Sequence, residues 1–212
     1  VMFRDNAPRQ QHRLSVSGGA GKNTYYISGN FFEQQGNLRY ANDQYDRLNF
    51  TVNMKNQATD WLSFDISAKY ARENQTLPSG GFGNFSTNIM YHQISRMWPV
   101  NPLYNPDGEI MNFDVRRIQR SGETDRITDN TILQAGTDIQ ILEGLNTRVS
   151  YSWNLTSSNE ERVWLRNLIE LPDGNFQNVG YNPDAISRRF GTNTNQLFNI
   201  VNTYSKSFGD HN

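Results

Sequence analysis

The 212 residues predict an all-β protein, an antiparallel up-and-down segment of a transmembrane β-barrel built from about seven long strands. Three observations carry that expectation. Long runs alternate strictly between apolar and polar residues, mid-strand charges fall on the polar parity, and tight turns alternate with long loops along the chain. The clearest case lies between Gln44 and Asn74, where Leu48, Phe50, Val52 and Met54 share one parity and Arg47, Asn49, Thr51, Asn53 and Lys55 the other. A period of two places those sets on opposite faces of a strand. After Asn56 to Thr59 the pattern returns, with Leu62, Phe64, Ile66, Ala68 and Tyr70 opposite Ser63, Asp65, Ser67 and Lys69. Each run holds its alternation for about a dozen residues, whereas strands of soluble proteins average roughly 5 to 6 and a tilted membrane strand needs about 9 to 11. The polar parity is mostly Asn, Ser and Thr, as expected of a wall facing a water-filled lumen.

The remaining elements follow in chain order. Pro8 interrupts any ladder in Val1 to Gln10. The first strand is expected over Gln11 to Gly19, with His12, Leu14 and Val16 opposite Arg13, Ser15 and Ser17. Gly18 to Asn23 makes a tight turn, and Thr24 to Gln34 returns with Tyr25, Ile27 and Phe31 on the apolar side. A loop from Gln35 to Gln44 leads into the hairpin already described. Periodicity then lapses until about Asn130, a stretch too long to be idle connection. It resumes over Thr131 to Leu142, turns at Glu143-Gly144, and runs back through Leu145 to Ser157. A second long loop, Ser158 to about Asn195, precedes a seventh strand over Gln196 to Phe208, and Gly209 to Asn212 reads as the next turn. Sorting loops by end is expected of an outer-membrane barrel, with short periplasmic turns and long extracellular loops. Tyr70, Tyr151, Trp153 and Tyr204 fall near strand ends, where such barrels carry aromatic girdles.

Composition narrows the alternatives. Net charge is -1 at pH 7 and the isoelectric point about 6.3, which gives nucleic acid no basic surface to bind. Mean hydropathy is -0.76, and no apolar run approaches the roughly 18 residues of a membrane helix. Cysteine is absent, so disulfides and thiolate metal sites are excluded. The chain reads as a fragment, because neither terminus carries a start or anchor signal.

Several short motifs reduce to turns. Gly18 to Asn23 approximates a phosphate loop, but Val16 stands where its first glycine belongs and Asn23 where Ser or Thr belongs. Asn105 to Glu109 and Pro172 to Asn175 resemble parts of a calcium loop, yet the first ligand positions would be Leu103 and Ile169. His12, His92 and His211 lie apart, without the spacing of a metal or catalytic site. Glu160-Glu161 reads as a solvated strand end or loop. Asn49, Asn74, Asn84 and Asn154 open N-x-S/T triplets with no modification implied in a bacterial barrel. No nucleophile, acid/base pair or metal cluster stands out, so an enzyme, a cofactor and a metal are not expected.

Three phrases carry a family resemblance: QQHRLSVSGGAGKNTYYISGNFFEQQGNL, YDRLNFTVNMKNQATDWLSFDISAKY and YSKSFGDHN. Within them Ser17, Gly18, Gly19, Tyr25, Tyr26, Ser28, Gln35, Gly36 and Leu38 fit one pattern. Tyr45, Arg47, Asn49, Asn53, Thr59, Trp61 and Leu62 fit a second. Together they resemble the barrel of SusC/RagA-type TonB-linked outer-membrane proteins of Bacteroidota. The long loops resemble the family only in patches such as Asn101 to Asn105. The resemblance implies that residues 1–212 form part of a TonB-dependent receptor barrel of about 22 strands, with the plug domain and the other strands lying outside this sequence. It implies a SusD-like surface lipoprotein, the TonB-ExbB-ExbD complex and outer-membrane lipid as partners. The implied work is active uptake of a large nutrient, a glycan or an oligopeptide. A passive porin or adhesin barrel shares the alternation, and a soluble carbohydrate-binding β-sandwich would show short strands instead. Large loops on a rigid scaffold often carry binding, and flat aromatic faces hold sugars. Tyr91, Trp98, Tyr104 and Trp164, in the two long loops, are therefore the expected ligand contacts.

Overall fold

The structure, a computed structural model, describes residues 2–79, 92, 94–98, 100, 102–106, 108–120, 122–170, 174–178 and 184–206. Its main body is one antiparallel sheet of seven strands in the order β1-β2-β3-β4-β5-β6-β9, so every strand lies beside its neighbour in sequence. The strands are β1 (Arg9–Ala20), β2 (Asn23–Gln35), β3 (Gln44–Gln57), β4 (Leu62–Pro78), β5 (Glu123–Leu142), β6 (Leu145–Trp164) and β9 (Ala185–Tyr204). A small hairpin, β7 (Leu168–Glu170) with β8 (Phe176–Asn178), lies in the connection after β6. A short helix, α1 (Phe113–Arg120), lies in the connection after β4.

Alternation survives into three dimensions because the register carries apolar residues across strand after strand. Val16 pairs with Ile27, Ile27 with Val52, Val52 with Ala68, Ala68 with Leu133, and Leu133 with Trp153. Directly paired residues share a face, so these rows form one continuous apolar surface. Leu14, Phe50, Met54, Ile66 and Phe198 stand exposed on it. The opposite face is bonded through polar side chains. Ser67 Oγ donates to Asn53 Oδ1 at 2.7 Å, and Asn130 Nδ2 donates to Thr156 Oγ1 at 2.9 Å.

Near the tight turns the polar face carries an ion triad, with Arg148 donating to Asp138 at 2.7 Å and to Asp65 at 2.9 Å. Gly136 makes room for it: a Cβ there would stand 2.8 Å from both Arg148 Nη2 and Asp65 Oδ1. The tight turns themselves rest on glycine, since Gly21 (φ 59°) and Gly144 (φ 85°) take the left-handed conformation.

Two expectations need correction. Strands β5, β6 and β9 are each 20 residues long; β5 and β6 run far beyond Thr131 to Leu142 and Leu145 to Ser157, while β9 starts well before Gln196, at Ala185, and ends at Tyr204, short of Phe208. The sequence around Glu123 to Asn130 is polar on both faces, so it gives no alternation to read, yet its backbone continues the ladder. Consequently Glu160 and Glu161 are strand residues on opposite faces. Glu160 is buried between Arg126 and Arg162, while Glu161 pairs with Arg188. Charges also reach the apolar parity. Arg72 on β4 makes two bonds to Asp129 on β5, at 2.8 and 2.9 Å, just past the last apolar rows.

Candidate functional site

The buried core of this chain lies at the long-loop end, outside the sheet. Met2, Leu38, Ala41, Ile94, Val115 and Ile118 cluster there, with Leu38 1% exposed and Val115 fully enclosed. These residues come from the chain start, the β2–β3 connection and the β4–β5 connection, so three segments share one small core. The helix that contributes Val115 and Ile118 begins at Asn112, whose Oδ1 accepts the N–H of Asp114 at 3.1 Å and that of Val115 at 3.3 Å. This is N-capping. Asp114 in the first turn and Arg117 and Arg120 in the last also suit the helix dipole. Burial pulls the Arg117 guanidinium down to about 10, opposed by the nearby Asp114 carboxylate.

A second junction joins the two long connections. Arg116 on α1 donates through Nε to Asn167 Oδ1 at 3.2 Å, through Nη1 to the Ile110 carbonyl at 3.2 Å and through Nη2 to the Leu168 carbonyl at 3.0 Å. Asn167 is almost fully enclosed and returns a bond from Nδ2 to the Arg116 carbonyl at 2.7 Å. The connections after β4 and β6 are thereby fastened at one point.

The four aromatic residues expected to touch ligand meet different fates. Tyr91 lies outside the described residues. Trp98 is 72% exposed and lines an open pocket of about 320 Å³. Tyr104 is 48% exposed, and its hydroxyl meets that of Tyr40 at 2.9 Å beside the loop core. That hydrogen bond, with burial and the charge of Tyr104 behind it, raises the Tyr40 phenol above its usual range. Trp164 is 9% exposed and ends strand β6, so it is not a loop residue. The Arg162 guanidinium lies over its ring at 5.5 Å, a cation–π contact on the polar face.

The pocket brings Trp98 together with residues that no local pattern marked. Met97, Pro102 and Met111 supply its apolar wall, and Arg96, Asn112 and Asp114 its polar edge. No helix was expected there, although Asn112 followed by Asp114 is a signal that could have marked its start. Among the described residues no group of three His, Cys, Asp or Glu side chains could hold a metal.

No family model matches the chain, and no curated protein matches it. Solved structures do. The chain is similar to one in the RagAB peptide importer in its "open-open" state, with a TM-score of 0.71, 16% identity, and coverage of 96% of this chain and 22% of that one. A second structure of the RagAB peptide transporter gives 0.69 and 15%, covering 95% of this chain and 22% of that one. In the "closed-closed" state of the importer the values are 0.61 and 12%, with 97% and 31% covered. The sheet therefore has the fold of part of those chains, and it spans between 22% and 31% of their length.

Proposed function

We propose that this chain forms part of the membrane wall of a SusC/RagA-type TonB-dependent transporter, set in the outer membrane and importing a large nutrient, a glycan or an oligopeptide. One observation carries the reading: a continuous apolar face runs across the seven-stranded sheet and is backed by a polar, hydrogen-bonded face. Exposed apolar surface on that scale marks a membrane or partner contact, and strands of 12 to 20 residues exceed both the membrane requirement of about 9 to 11 and the soluble average of roughly 5 to 6. A soluble β-sandwich has no use for them. The likeness to chains of a peptide importer supports the same reading.

In this arrangement the tight turns face the periplasm and the fused loops face outward, where a SusD-like lipoprotein would meet them. Energy would reach the barrel through TonB-ExbB-ExbD. Trp98 and Tyr104 would contact cargo or the partner from the loop end, together with Tyr91, while Trp164, buried at the end of β6 under Arg162, would not. The test is to express the full-length protein in its natural host, fractionate the envelope, and follow cargo uptake with and without TonB. Outer-membrane location with TonB-dependent uptake is the expected result. Uptake indifferent to TonB would leave a passive porin, and a protein soluble without detergent would end the membrane reading.

A further inference from the structure

On the premise that the chain belongs to a transporter, the polar face of the sheet selects the charge of what passes it. The whole chain is nearly balanced, with 20 Lys and Arg against 21 Asp and Glu, yet the register sorts these charges by face. On the seven long strands the polar parity carries nine Lys and Arg against four Asp and Glu, and the opposite parity two against six. All four acids of the polar face already stand beside a cation. Asp65 and Asp138 meet Arg148, Glu73 lies directly across from Arg47, and Glu160 meets Arg126 and Arg162. The surplus on that face is therefore positive. A wall of one sign around a lumen focuses the field, raises the local concentration of opposite charge and sets selectivity.

The surplus gathers at the long-loop end of β5, β6 and β9. There the buried Glu160 accepts from Arg126 Nε at 3.0 Å and from Arg162 Nη2 at 3.2 Å, and Arg189 is its direct partner across the β6–β9 ladder. Three guanidiniums surround one carboxylate, so the group keeps two positive charges. Glu160 holds the first two guanidiniums in place. Arg189 is exposed and makes no direct ion pair among the described residues. Its planar fork of N–H donors matches a carboxylate in geometry as well as charge. Gln75, Thr128, Ser158 and Ser187 share the face and border the group. Each of these side chains both gives and accepts hydrogen bonds, as the hydroxyls of a sugar do.

We infer that Arg126, Arg162 and Arg189 form a docking point on the polar wall for a carboxylate of an acidic oligosaccharide, with Gln75, Thr128, Ser158 and Ser187 meeting the neighbouring hydroxyls. The remaining surplus of the face draws such a chain toward the wall, and the Arg189 fork reads its acid group.

The test uses the full-length protein with its surface partner in detergent and three fluorescein-labelled probes, with binding read by anisotropy. They are an octagalacturonate, the same oligomer with every carboxylate converted to its methyl ester, and an octaglutamate peptide. The wild type should bind the acid sugar about tenfold more tightly than its ester, the scale expected for one charge-assisted contact, and more tightly than the peptide. Added salt should weaken binding of the acid and leave that of the ester unchanged. Arg189→Gln should reduce the preference for acid over ester to about twofold or less. Arg189 is exposed and free of ion pairs, so its removal leaves the fold intact. Arg189→Lys, which keeps the charge and loses the fork, should fall between the wild type and Arg189→Gln. Equal binding of acid and ester by the wild type would overturn the inference, as would an unchanged preference in Arg189→Gln. So would tighter binding of octaglutamate than of octagalacturonate. TonB-dependent uptake of the ester alone would overturn this assignment while leaving the transporter reading standing, whereas absence of any TonB-dependent uptake would remove the transporter reading itself.

Discussion

Leu38→Ala should release the long loops from one another without unfolding the sheet. Leu38 is 1% exposed and belongs to a cluster of only six buried residues, in which Val115 and Ile118 come from α1. Removing a buried Leu side chain costs about 2 to 5 kcal/mol through lost transfer energy and the cavity left behind. The cluster is small, so this loss is a large share of what holds α1 in place, and it falls on local opening rather than on global unfolding. At 1.36 kcal/mol per factor of ten, amide exchange in α1 should rise by about 30-fold to about 5,000-fold. Strand amides in β3 and β4 should keep their protection. Native-state hydrogen exchange with peptide-level readout measures both regions in one sample, and migration of the unheated protein in detergent gels reports the barrel. If α1 exchange stays at the wild-type rate, Leu38 does not hold the helix and the shared-core reasoning is wrong. If strand protection falls in step with α1, the loops and the sheet form one cooperative unit, which refutes it equally.

Other substitutions test other levels of the structure. Ile66→Lys places an ammonium on the apolar face and should cost about 2 to 4 kcal/mol near the middle of a bilayer, while Ser67→Lys on the polar face should be almost neutral; folded yield in lipid vesicles compares them. Gly136→Ala puts a methyl against Arg148 and Asp65, and since those groups are partly exposed the loss should stay below about 1 kcal/mol. The same substitution should cost less in an Arg148→Gln background, where only the Asp65 contact remains, as a double-mutant cycle on thermal midpoints would show. Tyr104→Phe should return the Tyr40 phenol toward its usual range in ultraviolet titration. The raised value of Tyr40 in the folded protein favours the protonated phenol. Its stabilisation is therefore complete below pH 10, is lost as pH climbs through the raised value, and should be missing from the variant.

Strand existence and facing were legible because an apolar face on one side of the sheet and a polar face on the other write a period of two into the chain. Leu48 to Met54 and Leu62 to Tyr70 fell on the face expected of them. Strand ends were not legible wherever both faces meet water. Glu123 to Asn130 shows this, and so does the upper part of β6, where mistaking strand for loop also misplaced Trp164. The pocket was less legible still. Trp98 could be singled out as a loop aromatic, but its companion Met111 is brought to it by the Leu38–Val115 core and by the Arg116 junction. Those are contacts between segments remote in sequence, and no periodicity encodes them.

In a barrel set in the membrane as proposed, the Arg72–Asp129 pair would work as a waterline. Below it the outward side chains suit hydrocarbon, and above it the same face carries Asp125, Glu161 and Arg188. A 20-residue strand is about 66 Å long and, tilted by about 45°, rises roughly 45 Å, against an apolar band of about 25 Å. In the proposed setting the strands would rise beyond the apolar band at the long-loop end, with β4 level with β5, since Pro78 pairs with Glu123. In that setting immersion depth would be limited by the same pair, because sinking further would bring a guanidinium and a carboxylate into lipid. A membrane thicker than the band would thin around this protein sooner than draw it down.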